Sequence, residues 1–125
     1  MLSCEQKVEK VSATSGNIAG TYKLVGLTMS STTVPEQDAM SFLFDCEKDD
    51  VYNFNADSSF QYIDAGLTCE PSGNFSGNWE LNGDVISFYG EVGNITKFDG
   101  NILEITTTTT ISATTYAKRS TFKKQ

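Results

Sequence analysis

Gly77-Asn-Trp-Glu-Leu-Asn-Gly-Asp-Val-Ile-Ser-Phe-Tyr89 reads as a strand, a two-residue turn and a second strand. Asn82-Gly83 marks the turn, because a type I′ turn needs φ > 0 at both central residues and this dipeptide tolerates it. Pairing Leu81 with Asp84 sets Trp79 opposite Ile86 and Gly77 opposite Phe88. The one tryptophan then shares an apolar face with Ile86 and Phe88. The head of this hairpin has an echo upstream: Gly20-Thr-Tyr-Lys-Leu24 against Gly77-Asn-Trp-Glu-Leu81. A chain that writes Gly-x-aromatic-charged-Leu twice is organised as one antiparallel meander.

Working outward, Val51-Tyr-Asn-Phe-Asn55 and Ser59-Phe-Gln-Tyr-Ile63 flank Ala56-Asp57-Ser58. Pairing Asn55 with Ser59 sets Phe54 opposite Phe60 and Tyr52 opposite Tyr62, with Asn53 and Gln61 on the other face. Such aromatic cross-strand pairs contribute about 0.2–1 kcal/mol each relative to alanine. Downstream, a three-residue loop at Asp99-Gly100-Asn101 pairs Phe98 with Ile102 and Ile95 with Ile105, which puts Ile95, Leu103 and Ile105 on one face. The run Thr106–Thr110 is extended through β-branching. A last strand from about Ala113 to Phe122 carries Tyr116 and Phe122 on one face. The first strand, Gly20 to about Met29, alternates imperfectly: Tyr22 and Leu24 share one face, Val25 and Leu27 the other, as if both faces were covered. Between residues 30 and 44, Pro35 followed by Glu36 and Asp38 suits a helix start. Ala39, Met40, Leu43 and Phe44 would form its apolar stripe, as a short helix or ordered loop over one barrel mouth. The tally is eight short strands without βαβ crossovers. That predicts an all-β fold, an eight-stranded antiparallel up-and-down barrel, which also abolishes exposed edges.

At 125 residues the chain is one domain with room for a core. A net charge of −7 argues against nucleic acid and anionic membrane surfaces as partners. No apolar run reaches membrane-helix length. There is no histidine, which removes Ser-His-Asp and Cys-His catalysis and His-ligated zinc. None of the acids, Glu80, Glu91 and Glu104 included, has a recognisable catalytic partner, so no enzyme, metal or cofactor is expected. Asp45-Cys46-Glu47-Lys48-Asp49-Asp50 lacks the mid-loop glycine and terminal glutamate of a calcium loop and reads as a solvated acidic turn. Cys46 and Cys69 lie at the two ends of the Val51–Ile63 hairpin, which brings them close enough to bridge. A bridge implies an oxidising compartment. Residues 1–17 are polar and read as a flexible leader to a domain over 18–125. Within it, Leu2-Ser3-Cys4 looks like the end of a lipobox, with Cys4 the lipidated residue.

The ordered set Gly20–Leu24, Cys46-Glu-Lys-Asp-Asp-Val-Tyr-Asn-Phe54, Cys69, Gly77–Leu81 and the closing Tyr116–Lys123 strand resembles the lipocalin-like lipoprotein domains common in Bacteroidetes, over about residues 18–124. The resemblance implies a calycin-type eight-stranded barrel, a Cys46–Cys69 disulfide and a lipid on Cys4, hence a cell-envelope location. It also implies binding of a small apolar ligand. Lipocalins proper carry Gly-x-Trp on the first strand with an arginine packed over the tryptophan. Here Tyr22 takes that place, and Arg119, the one arginine, would stack on Tyr22 across the closing seam.

Two functions follow. The first is a monomeric exported barrel holding a small, largely apolar molecule against Tyr52, Phe54, Phe60, Tyr62 and Trp79. The plainer role for these rings is a packed core, and Trp79 in particular serves as an anchor facing Ile86 and Phe88. If the core is filled, the second function applies: an interaction module or secreted inhibitor acting through loops 30–45 and 65–74 at the barrel mouth.

Overall fold

The computed structural model describes residues 14–71 and 73–125, and Cys4 lies outside the described residues. Nine strands run in chain order: β1 (Gly20–Ser31), β2 (Gln37–Asp38), β3 (Val51–Phe54), β4 (Ser59–Ile63), β5 (Phe75–Asn82), β6 (Val85–Phe88), β7 (Glu91–Phe98), β8 (Ile102–Ile111) and β9 (Thr114–Lys124). Each ring strand pairs antiparallel with its neighbour, and β9 returns to pair with β1 from Tyr116↔Ser31 to Lys124↔Tyr22. The result is the expected eight-stranded up-and-down barrel, with β2 as a ninth short strand on the upper half of β1 at Thr28↔Asp38 and Met29↔Gln37. Residues 35–38 are therefore extended: of the short helix or ordered loop expected here, the segment takes the ordered loop. The Ala39 N–H bonds the Leu27 carbonyl at 2.8 Å, and the Glu36 carboxylate pairs with Arg119 instead of serving a helix terminus. Only a 3-10 turn at Met40–Phe42 and a four-residue helix, α2 (Asp45–Lys48), follow.

The β3–β4 hairpin has the expected register, Tyr52↔Tyr62 and Phe54↔Phe60. The β5–β6 hairpin is displaced by two residues: Trp79 faces Phe88 and Leu81 faces Ile86. The turn is Gly83-Asp84 with φ +63° at Gly83, glycine at the first central position as in a type II′ turn. A two-residue slip keeps every side chain on its face, whereas a one-residue slip would invert the strand. Trp79, Ile86 and Phe88 are accordingly all buried. Between β7 and β8, Ile95 faces Ile105 as expected, but Phe98 faces Leu103 and a bulge lies between. The Asp99 carboxylate causes this by accepting the N–H groups of Asn101 (2.9 Å) and Ile102 (2.7 Å), which lengthens the turn by one residue.

The imperfect alternation of the first strand also has a local cause. Phe122 faces Leu24 while Thr121 faces Gly26, so Val25 is an extra residue on β1. Tyr22, Leu24 and Leu27 all point inward, and Val25 is half exposed. A bulge, not a double covering, changes the phase. One end of the barrel is closed by α1 (Ser15–Ile18), one helical turn at the end of the segment read as a leader. Ile18 is fully buried, and its carbonyl accepts the Tyr22 hydroxyl at 2.6 Å. Arg119 does not stack on Tyr22. The β1–β9 register sets Arg119 beside Thr28, where it pairs with Glu36 and Glu104, and sets Lys124 beside Tyr22, its ammonium 5.7 Å from the ring centre.

Candidate functional site

The barrel interior has two unlike halves, and the strands encode the difference. Read from the closed end towards the open one, the inward residues of β9 run Phe122, Ser120, Lys118. Those of β8 run Leu103, Ile105, Thr107, and those of β7 run Ile95, Gly93, Glu91. Three neighbouring strands pass from large apolar side chains to small or polar ones. The lower half is therefore filled. Phe54 sits at its centre, with ring centroids 5.0 Å from Phe88, 5.1 Å from Phe60, 5.4 Å from Trp79 and 5.6 Å from Tyr22, three of them edge-to-face. Such pairs add about 0.5–1.5 kcal/mol each beyond the area they bury. The indole N–H of Trp79 bonds the Asn55 carbonyl at 2.8 Å, so the ring has no free polar edge.

The upper half keeps a cavity of about 180 Å³. Leu24, Leu27, Ile105 and Phe122 form its floor and sides, and Leu43 and Tyr89 stand at its mouth. Of the five ring residues considered as a ligand wall, Tyr52 alone lines this cavity; Phe54, Phe60 and Trp79 are packed in the core below. Tyr62 stands beside Tyr52, 5.1 Å between centroids, and donates its hydroxyl to Asp50. The polar groups on the wall are Ser120, Tyr52 and an ion pair, Lys118 Nζ to Glu91 Oε1 at 3.0 Å and Oε2 at 3.1 Å. Burial, reinforced by the charges of Asp50 and Glu91, pushes the Tyr52 phenol above its ordinary range. It stays a neutral donor at physiological pH.

Tyr89 did not stand out in the sequence, where it closes a strand. It occupies the first position of the two-residue β6–β7 turn with φ +53°, followed by Gly90 at +75°. A bulky residue with positive φ is a strained outlier. The turn carries the Tyr89 ring over the cavity mouth, stacked on Tyr62 (5.1 Å, 22°) and against Phe75 (4.7 Å). The one signal was Tyr89-Gly90 lying between Phe88 and Glu91, a two-residue hairpin turn ending in glycine.

The long connections at the open end are braced together. Cys46 of α2 and Cys69 of the 64–74 loop form the expected disulfide, Cα–Cα 5.1 Å. Asp49 accepts the Leu67 N–H (2.8 Å), Asp50 that of Ala65 (3.2 Å), and Asp64 those of Cys69 (2.8 Å) and Gly73 (3.1 Å). Asp50 and Asp64 are both buried. Burial pushes the Asp50 carboxyl up; the charges of Asp64 and Asp49 add to this, and hydrogen bonds from Tyr62 and Ala65 oppose it. Among the described residues no group of three acidic, cysteine or histidine side chains is arranged to hold a metal ion. These carboxylates serve backbone N–H groups instead.

A closed eight-stranded meander, plugged at one end and hollow at the other, defines the class as a lipocalin-like all-β barrel. The model of the lipocalin-like domain family matches residues 18–115, and the chain belongs to that family. Its fold is generally a non-enzymatic binding fold. Comparison with curated proteins gave no match, and neither did comparison with solved structures.

Proposed function

We propose that this chain is an exported bacterial envelope lipoprotein, lipid-anchored at Cys4, that binds one small, largely apolar molecule in the open half of its barrel. The observation that carries the reading is the unfilled cavity of about 180 Å³ above a filled aromatic core. A dry apolar cavity of about 150 Å³ accepts one benzene molecule, so this one takes a single-ring or short-chain compound. The Lys118–Glu91 pair and Ser120 offer both donors and an acceptor at one wall. They favour a ligand with one hydroxyl or amide at its end over a pure hydrocarbon. The disulfide supports an oxidising compartment. Catalysis has no place in this reading.

The test uses p-cresol, a single ring with one hydroxyl, titrated into the full chain and followed by backbone amide NMR. Saturable shifts centred on Tyr52, Ile105 and Lys118 are expected. Ser120→Phe, which fills the space from its wall, should abolish them without lowering the melting temperature. Absence of saturable shifts at millimolar p-cresol, or equal shifts in Ser120→Phe, refutes the cavity as a binding site. Replacing Tyr89 by Asn, which tolerates positive φ, removes the ring from the mouth and should speed ligand release while the turn persists.

A further inference from the structure

A second depression of about 240 Å³ lies outside the mouth, between the upper end of β1 and the segment that follows it. Its apolar walls are Met29, Val34, Ala39, Phe42 and Tyr116, with Gln37 and Asp38 on its rim. Phe42 is 75% exposed, although nothing in its short 3-10 turn requires an aromatic side chain there. Val34, Phe44 and Leu67 stand exposed on the same connections. Every strand of the ring is paired along both edges, whereas β2, which borders the depression, has one neighbour among the described residues, β1. No other described strand pairs with its outer backbone edge, which can accept a further extended chain.

Charge is equally localised. The connections 31–50 and 64–74 carry eight carboxylates and one lysine, a net −7 equal to that of the whole chain; Asp50 and Asp64 are buried, which leaves six carboxylates to give this end its acidic surface. Glu36 is paired with Arg119 and Asp45 with Lys48, whereas Asp38, on the groove's rim, is exposed and has no cation partner among the described residues. A two-fold contact with a second copy would set this acidic face against itself, and an anionic lipid surface would be repelled in the same way. What complements both the groove and its charge is an extended polypeptide with an apolar side chain flanked by lysine or arginine.

We propose that this rim groove docks an extended basic segment of a protein partner, which pairs along the free edge of β2, seats an apolar side chain against Phe42 and Tyr116, and sets a cation beside Asp38. This surface is separate from the barrel cavity, so the two readings stand or fall independently.

The test pans a displayed library of random 12-residue peptides on the full chain, then measures a synthetic consensus peptide by calorimetry. The expected consensus is one large apolar residue flanked by Lys or Arg. Its affinity should fall at least tenfold between about 50 and 300 mM salt, the behaviour of screened charge pairs. It should fall at least tenfold in Phe42→Ser and stay unchanged in the cavity-filling Ser120→Phe. Phe42 is exposed, so Phe42→Ser should keep the parent melting temperature. Four outcomes overturn the proposal: no consensus; a consensus without cations; a peptide that binds Phe42→Ser as well as the parent; or a parent that dimerises or binds anionic phosphatidylglycerol vesicles through Phe42.

Discussion

Asp50 shows how a single side chain sets a pH response. Its carboxylate is buried against Tyr62 with Asp64 and Asp49 nearby, and burial raises its pKa above the ordinary 3.8. A carboxyl whose native pKa exceeds its unfolded value binds its proton more tightly in the native state. At neutral pH it therefore destabilises the fold, and that cost is relieved as pH falls through the native pKa towards 3.8. Asp57 and Asp99 act in the opposite sense. Ser59 donates to Asp57 from its hydroxyl and its N–H, and the N–H groups of Ile102 and Asn101 donate to Asp99, which holds both below 3.8. Their contribution is lost only as pH falls through those lowered values. The melting temperature should thus rise as pH falls from neutral towards 3.8 and fall again at lower pH. Asp50→Asn keeps an acceptor for Ala65 and offers an N–H to Tyr62. It should match or exceed the parent at the higher pH and show a flatter rise. Melting curves for parent and variant that stay parallel across that range would remove Asp50 as the cause. Arg119 carries a second lesson at this scale. The sequence showed one arginine on the last strand and one tyrosine on the first, but which cation meets Tyr22 depends on register, and register gives that place to Lys124.

The long connections at the mouth depend on the disulfide more than the ring of strands does. Cys46–Cys69 closes a sequence separation of 23 residues across segments that contain few backbone ladder bonds. The Cys46→Ser/Cys69→Ser double variant should lose about 2–4 kcal/mol of stability yet keep the barrel, because no strand pairing passes through the bridge. Hydrogen exchange should accelerate over residues 40–50 and 64–74 and remain slow in β8 and β9. Uniform acceleration across the sheet would show that the bridge holds the whole barrel. Hairpins were the legible elements, and the reason is chemical. Phe54, Phe60, Tyr52 and Tyr62 fix their own register by pairing across a three-residue loop. Trp79 and Phe88 kept their face although the turn moved by one residue and the register by two, since period-2 patterning specifies faces more strongly than turns. The bulges at Val25 and Thr96 were not legible, because each depends on a strand paired to it or on a side chain capping the next turn. Of the short helix or ordered loop expected after Pro35, the ordered loop formed, for a related reason. Its backbone donors and acceptors found partners on β1, far away in sequence. The cavity was legible only in hindsight, as three strands that each become smaller or more polar towards one end.

Closure is a property of the whole molecule, because it joins the first strand to the last. Tyr22 pairs with Lys124 across 102 residues of sequence, and β9 pairs along both of its edges. Removing β9 does more than delete one strand. It opens the edges of β1 and β8, and it takes Phe122 away from Tyr52, 4.9 Å between centroids, and from Phe88, 6.4 Å. An open sheet of seven strands with a half-uncovered aromatic core has no face to bury against and two long edges free to aggregate. A chain ending at Ala113 should therefore show no cooperative thermal transition. The local hairpins β3–β4 and β5–β6 need no closure, so the truncated chain should retain strand signal in the far ultraviolet without fixed aromatic packing. A synthetic peptide of residues 113–125, added in trans, supplies both missing ladders and Phe122 together. It should restore a single melting transition whose midpoint rises with peptide concentration. The same peptide with Phe122→Ala keeps the ladders but not the core contact, and should restore less. Ring closure over so long a separation also makes folding slow, on the order of milliseconds to seconds, as for other topologies dominated by distant pairings. If the truncated chain melted cooperatively without the peptide, stability would reside in the hairpins and their aromatic cluster, and the seam between β1 and β9 would be a consequence of folding instead of its condition.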